Sequence, residues 1–322
     1  MVGNISFDII LPTYNGAQYV RQSIESVLAQ TYRNFHLTVI DDGSRDETVE
    51  MVREIVERHP EEITFLATTL NLRAAGARME AIRKVHGDII AFIDQDDIWQ
   101  PEKLACQAVL FNKGADVVHT NVAFIDEDGA LMPHAASNEN KRREELFRGT
   151  GNSLDMQISF CMANPIRLTT SALTRQAFED VGGFDTSLFG GEDWSFWLAL
   201  AMDGKQFSLD SRTLVFRRIH RQNTSRVHKI ERSKGVLRAC RKARALYPVL
   251  LPFLGQREYA IVKRSLTLLI RSCRVREARR YFQETKSYVP ARYIPQLFFL
   301  SHSSYFGCVL LRIRRVIGRI GR

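Results

Sequence analysis

The stretch that decides the fold is residues 88–101, Asp88-Ile89-Ile90-Ala91-Phe92-Ile93-Asp94-Gln95-Asp96-Asp97-Ile98-Trp99-Gln100-Pro101. Ile89–Ile93 is a short apolar run bounded by acids, the pattern of a buried strand. Pro101 suits the first turn of a helix that follows. In Asp94-Gln95-Asp96 the two acids fall on one side of an extended segment, because side chains there alternate with period two. Two such oxygen donors can hold Mg2+ or Mn2+, which can bridge the phosphates of a nucleotide. A solvated turn with an Asp helix cap is the plain alternative. The position at a strand end, ahead of Trp99-Gln100-Pro101, argues against it.

Working outward, the first 125 residues alternate between strand-like and helix-like segments. Strands are predicted at 5–11, 36–40, 63–67, 88–93 and 116–125, and helices at 16–30, 46–58, 73–85 and 101–112. Val20, Ile24, Val27 and Leu28 share one helical face, and Gly87 is placed to end the third helix. The alternation predicts an α/β fold, a Rossmann-like, mostly parallel sheet with helices on both faces. Ligands of such sheets bind outside the carboxyl ends of the strands. Three polar clusters fall there: Pro12-Thr13-Tyr14-Asn15, Asp41-Asp42-Gly43-Ser44 and Asp94–Asp97. An acid at Asp41 or Asp42 can accept the imide N–H of a pyrimidine base, or it can cap an Asx turn. The residues alone leave both open. Residues 127–160 are polar and read as a mobile acceptor loop. Helix 192–202 and a strand at 214–219 follow.

The chain has 322 residues and a net charge of +9. That length predicts about two domains. The charge is unevenly placed. From Arg226 onward there are 23 Lys+Arg against 4 Asp+Glu, a formal +19, so the preceding part is net acidic at −10. This places a domain boundary near Ser225, with a catalytic domain at 1–225 and a basic helical region at 226–322 that meets something anionic. Residues 294–311 are marginal for a membrane span, which needs about 20 apolar residues. Arg312, Arg314, Arg315, Arg319 and Arg322, interleaved with Ile313, Val316, Ile317 and Ile320, fit a basic amphipathic helix lying on an anionic membrane. Nucleic acid is the rival partner, but no recognition motif for it is present. A solvated helical face covering the catalytic domain is the plain reading of the same charges. The five cysteines form neither a CxxC pair nor a Cys/His cluster, which excludes a zinc module and a dense disulfide scaffold. The N-terminal residues show no signal-peptide pattern, so the expected location is the cytoplasm, at the inner face of the membrane.

Leu11-Pro12-Thr13-Tyr14-Asn15, Gln30-Thr31-Tyr32, Val39–Ser44 and Phe92–Trp99, in this order and spacing, resemble the family 2 glycosyltransferases of GT-A fold. Gly182-Gly183-Phe184-Asp185 and Gly191-Glu192-Asp193-Trp194 resemble that family's acceptor-side segment. His220–Ser225 resembles its closing histidine motif. The likeness covers about residues 5–225. It implies a nucleotide-sugar donor, a divalent metal and inversion at the anomeric carbon. By that resemblance Pro12, Tyr14 and Asp41 or Asp42 hold the nucleoside. Asp94 and Asp96 serve the diphosphate and metal, with Asp96 the direct ligand. Asp193 is the general base, and His220 touches the metal or the diphosphate. Glu192 and Asp193 also suit plain helix capping, where the dipole favours acids. Trp194 offers a sugar an aromatic face or is a core aromatic. One segment departs from the pattern. Arg73 stands where the family's Asn-x-Gly has Gly, and Met79 and Ala81 replace an Asn and a Gly, while Arg78 is retained and can meet phosphate or a donor-site acid.

The sequence therefore predicts a metal-dependent inverting glycosyltransferase. It would use a UDP- or dTDP-sugar and a saccharide acceptor, lipid-linked, in bacterial surface-polysaccharide assembly. A sugar nucleotidyltransferase would need a Gly-rich phosphate loop with a basic residue, and Pro12–Gly16 is not one. A non-catalytic GT-A-like binding module predicts loss of a carboxylate, and all the candidate acids are present.

Overall fold

The computed structural model describes residues 5–133, 137–147, 150–223 and 227–302. The first half of the sheet is built from β1 (Phe7–Thr13), β2 (Phe35–Asp41), β3 (Ile63–Ala67) and β4 (Ile89–Phe92), all parallel, in the order β3-β2-β1-β4. The connecting helices are α1 (Val20–Leu28), α2 (Thr48–Arg58) and α3 (Arg73–Ile82). The chain moves away from β1 in one direction through β2 and β3, then returns to place β4 on its other side. This reversal is the topological switch point at which open α/β sheets open a crevice. Because the strands are parallel, Thr13, Asp41 and Phe92 end at the same edge. The candidate loops follow directly.

β1 and β4 are almost wholly buried because both sheet faces are covered. Phe7, Ile9, Leu11, Leu37, Val39, Ile89, Ala91 and Ile93 join one cluster with Val20, Ile24 and Val27 of α1 and Val52 and Ile55 of α2. The spacing of the α1 residues is the i, i+4, i+7 stripe expected of a helix on a sheet. On the other side, Phe92 meets Phe184 edge-on at 5.5 Å, and Phe184 in turn meets Phe178 and Phe196.

The second half of the sheet is mixed. β5 (Ile98–Trp99), β6 (Val117–Ile125), β7 (Thr150–Gly151), β8 (Ser171–Thr174) and β9 (Phe207–Arg218) complete a nine-stranded sheet among the described residues. β8 lies between β4 and β6 and is antiparallel to both, while β6 and β9 are parallel. The mostly parallel sheet expected from the sequence is thus wholly parallel in its first half and mixed in its second. The predicted strand at 214–219 is longer, because it continues through a bulge opposite Thr120–Val122, where Arg212 pairs with Asp210. The helices of this half are α4 (Lys103–Phe111), α5 (Ser137–Leu146), α6 (Leu154–Met162), α7 (Arg175–Asp180) and α8 (Glu192–Met202).

Residues 127–160 differ from the loop expected of them. They contain α5, β7 and the start of α6, and Ser153 caps α6 by accepting the Met156 N–H. The polar sequence hides a polar interior. Arg143 is buried and donates to the Pro165 carbonyl, Asn140 Oδ1 and Glu139 Oε1.

The chain divides into two compact units, one comprising Met1–Ser187 with Glu192–Asn223, the other Leu188–Gly191 with Thr224–Arg322. The second unit contains α9 (Lys229–Leu246), α10 (Leu251–Arg271), α11 (Val275–Thr285) and α12 (Ile294–His302). Leu237, Val262, Leu266, Leu269, Ala278, Phe282 and Leu297 make its core. Gly235 lets residues 188–191 cross α9, since a Cβ there would stand 1.9 Å from the Phe189 carbonyl oxygen. Arg312 and the other tail arginines named above lie outside the described residues, as does Ser225.

Candidate active site

The loop after β4 is held by side chains far away in sequence. Ser23 Oγ on α1 donates to the main-chain carbonyls of Gln95 (2.8 Å) and Asp97 (2.7 Å). Gln95 itself accepts the Tyr14 N–H at 2.8 Å and donates to the Tyr14 carbonyl at 3.1 Å. The middle residue of the acid pair thus fastens its loop to the loop after β1. Gly16 leaves room for it, because a Cβ there would fall 2.3 Å from Gln95 Oε1 and push that side chain aside.

At the end of β2, Asp41 and Asp42 take different parts. Asp41 Oδ1 accepts from Thr13 and Ser44 hydroxyls, and Oδ2 accepts the Gly43 and Ser44 N–H groups. Both oxygens are spent on the turn, the Asx arrangement. Asp42 Oδ1 accepts the Leu72 N–H (2.7 Å) and the Thr68 hydroxyl (3.1 Å), which ties the loop before α3 to β2. In that loop Arg73 adopts φ +61°, a left-handed conformation suited to glycine. Met79, further along α3, accepts the Phe184 N–H at its sulfur (3.4 Å) and so packs against the Gly182-Gly183-Phe184 segment.

The two acids of the pair are also distinguished. Asp94 Oδ1 accepts from Arg78 Nη2 at 2.6 Å, and Arg78 is buried. Asp96 Oδ2 lies 2.8 Å from His220 Nε2 and accepts the Asn223 side-chain N–H at 2.9 Å. Asp97 is buried beneath them. Burial, reinforced by the negative charges of Asp96 and Asp94, pushes its carboxyl well above the usual range. Arg218 anchors the whole arrangement. Its N–H donates to Asp97 Oδ1, and its guanidinium donates to the carbonyls of Asp96, Asp126 and Glu127 and to Gln22 Oε1. The guanidinium stacks on Tyr19 at 4.6 Å, and the His220 ring meets that tyrosine at 5.0 Å.

Asp193 opens α8. Its Oδ2 accepts the Asn164 side-chain N–H at 2.8 Å, and its Oδ1 accepts the Trp194 N–H at 2.8 Å. Glu192 beside it is half-buried, and its carbonyl accepts from Ser195. Trp194 is only 1% exposed, and its indole N–H donates to the Phe160 carbonyl. It is a core residue, so the aromatic platform read from the sequence is corrected: no ring face is open to a sugar. Arg167 links this region to the acid loop. Burial opposes its charge, but bidentate bonds to Glu139 and the fields of Asp97 and Asp193 raise its pKa above the ordinary value. Arg218, Tyr19, Gln22, Gln95, Asn164, Arg167 and Asn223 were not singled out from the sequence. Asn223 and Gln95 had the best available signal, since both lie inside the quoted motifs.

Among the described residues no group of three or more His, Cys, Asp or Glu side chains surrounds one point. A cage made of protein alone is therefore not offered. Asp96 and His220 do converge, and a Mg2+-like or Mn2+-like ion bound by one or two side chains, with phosphate and water completing its shell, fits that pair.

A family model described as glycosyl transferase family 2 matches residues 8–169, half of the chain. The chain belongs to that family. An uncharacterized glycosyltransferase of Rickettsia typhi is 26% identical over 260 residues, covering 80% of this chain and 75% of its own. The Escherichia coli protein WfgD, a UDP-Glc:α-D-GlcNAc-diphosphoundecaprenol β-1,3-glucosyltransferase, is 42% identical over 124 residues, 38% of this chain and 48% of its own. Among solved structures, S. aureus TarS 1–349 in complex with UDP-GlcNAc aligns with a TM-score of 0.66 at 16% identity, over 98% of this chain and 92% of that one. The mannosyltransferase PcManGT of Pyrobaculum calidifontis, in complex with GDP-Man and Mn2+, aligns at 0.59 and 20% identity, over 92% and 86%. The fold is that of the GT-A glycosyltransferases, and the protein is a transferase. No helix among the described residues is long and apolar enough to cross a membrane.

Proposed function

We propose that this family 2 member is an inverting, metal-dependent glycosyltransferase. It moves a sugar from a UDP- or dTDP-sugar to a saccharide acceptor, lipid-linked, in bacterial surface-polysaccharide assembly. The observation that carries this reading is the convergence of Arg78–Asp94 and Asp96–His220 at the carboxyl edge of the sheet, beside the switch point. Pro12, the half-exposed Tyr14 and Asp42 line the nucleoside side of that edge, with Asp41 shaping the turn. Arg78 balances Asp94 and lies where a diphosphate would add further negative charge. Bound at Asp96 and His220, Mn2+ or Mg2+ would neutralise charge on the leaving diphosphate.

Asp193 takes the proton of the acceptor hydroxyl. The acceptor oxygen forms a bond to the anomeric carbon as the bond from that carbon to the phosphate oxygen breaks, and the nucleoside diphosphate leaves with the electron pair. One displacement inverts the anomeric centre. The UDP-Glc donor and lipid-linked acceptor in WfgD's name and the UDP-GlcNAc of TarS support the donor and acceptor classes, while the GDP-Man of PcManGT supports only the broader class of nucleotide-sugar donors. The basic second unit, with Leu246, Val249, Phe298 and Phe299 exposed, supports contact with an anionic membrane surface, at the inner face of the cell membrane.

The test is donor binding and hydrolysis across UDP-, dTDP- and GDP-sugars with Mn2+, Mg2+ or EDTA. Metal-dependent use of a UDP- or dTDP-sugar is expected. Equal turnover in EDTA would overturn the metal requirement, and exclusive use of a GDP-sugar would overturn the donor class.

A further inference from the structure

Asn223 makes contacts that none of the roles above uses. It is buried, and its side chain bridges three groups. Oδ1 accepts the His220 main-chain N–H at 2.7 Å. Nδ2 donates to Asp96 Oδ2 at 2.9 Å and to the Arg218 carbonyl at 3.3 Å. The orientation of the amide is dictated by its partners. A main-chain N–H can only donate and a main-chain carbonyl can only accept, so Oδ1 must face His220 and Nδ2 must face Arg218 and Asp96. The amide therefore fixes the carboxylate and the histidine backbone together.

Asp96 has few other restraints on its carboxylate. Its Oδ2 receives only Asn223 Nδ2 and His220 Nε2 among the described side chains. Without Nδ2, only the His220 Nε2 contact restrains the carboxylate about its last torsion, which is broad for an Asp. Without Oδ1, the turn carrying His220 loses the acceptor for its N–H. The two groups read above as cation ligands would then both be released.

We infer that Asn223 is a positioning residue that holds Asp96 and His220 in the arrangement a divalent cation needs. This rests on the metal reading given above. Residues that orient metal ligands typically change metal affinity or activity by about 10–100-fold when removed.

The experiment is a titration of the full chain with MnCl2 in the presence of UDP, following free Mn2+ by its EPR signal. UDP binding in EDTA and thermal melting are measured alongside. Asn223→Ala is expected to bind Mn2+ about 10–100-fold more weakly, with UDP binding in EDTA within about twofold of the parent. Asn223→Asp keeps the acceptor for the His220 N–H and replaces the donor facing Asp96 and the Arg218 carbonyl with a carboxylate oxygen. Once its melt shows it folded, it should still shift Mn2+ affinity by about tenfold or more, and it decides the matter alone if Asn223→Ala does not fold. Mn2+ affinity within twofold of the parent in the folded variants would overturn the inference while leaving the metal reading standing. Absence of Mn2+ binding by the parent itself would overturn both.

Discussion

Arg218 and Asp97, 121 positions apart, are joined by a hydrogen bond of 3.0 Å from the arginine main-chain N–H to the carboxyl Oδ1, out of reach of solvent. The same arginine holds the carbonyls of Asp96, Asp126 and Glu127. The last residue of β9 therefore supports the loop after β4. A buried cation stands behind the acid pair and a buried carboxyl stands beneath it.

Burial, reinforced by the negative charges of Asp96 and Asp94, pushes the Asp97 carboxyl well above its usual range, so the folded loop disfavours its ionised form. Asp97→Asn should leave the melting temperature nearly unchanged. Asp97→Leu strands the Arg218 N–H and should cost about 1–3 kcal/mol. Chemical denaturation of the two variants checks this. A large loss in Asp97→Asn would mean that the carboxyl is ionised in place.

His119 on β6 is fully buried against Phe147, with neither ring nitrogen hydrogen-bonded among the described residues. Burial, aided by the Arg143 charge, lowers its pKa well below 6.5. The unfolded chain takes up a proton as pH falls through 6.5 and the folded chain does not. Stability is thus full above pH 6.5 and declines as pH falls below it. His119→Leu should flatten this slope in denaturation curves taken from pH 7.5 to 5. An unchanged slope would assign the acid sensitivity elsewhere.

Glu258 in α10 has the opposite sign. Its side chain is 1% exposed and paired with Arg244 at 2.7 Å, and its other oxygen has no partner among the described residues. Burial, partly offset by Arg244, raises its pKa from 4.5 to about 7. Its contribution is present below pH 4.5 and lost as pH rises through about 7. Glu258→Gln should therefore stabilise the second unit at pH 8, by up to about 3 kcal/mol, and have little effect at pH 5. Melting of the full chain at the two pH values reads the difference.

Much of this was legible in the sequence, for identifiable reasons. Ile89–Ile93 and Val117–Ile125 are strongly apolar and short, so their strands stand out, and Val20, Ile24 and Val27 announce α1. Ser171–Thr174 is too short and mixed to read as a strand, although it reverses the second half of the sheet. Residues 127–160 read as a loop because α5 buries an arginine, Arg143, in place of a leucine. Asp41, Asp42, Asp94 and Asp96 were visible as acids at strand ends. What separates the turn-maker Asp41 from Asp42 is the partners each has, and those come from distant segments. Nothing in the sequence around Arg218 marks it. Its importance lies in contacts to residues 22, 96, 97, 126 and 127, which no local pattern encodes.

The central claim is that Asp193 is the base of a transfer reaction whose donor is held elsewhere, at Asp96 and its neighbours. The most direct measurement compares single-turnover transfer and donor binding in the parent and Asp193→Asn, which keeps the size of the side chain and an oxygen for the Trp194 N–H. The account predicts donor affinity within about twofold and transfer slowed about 10²–10⁴-fold, the range for losing a general base. Transfer at the parent rate with intact donor binding would contradict it.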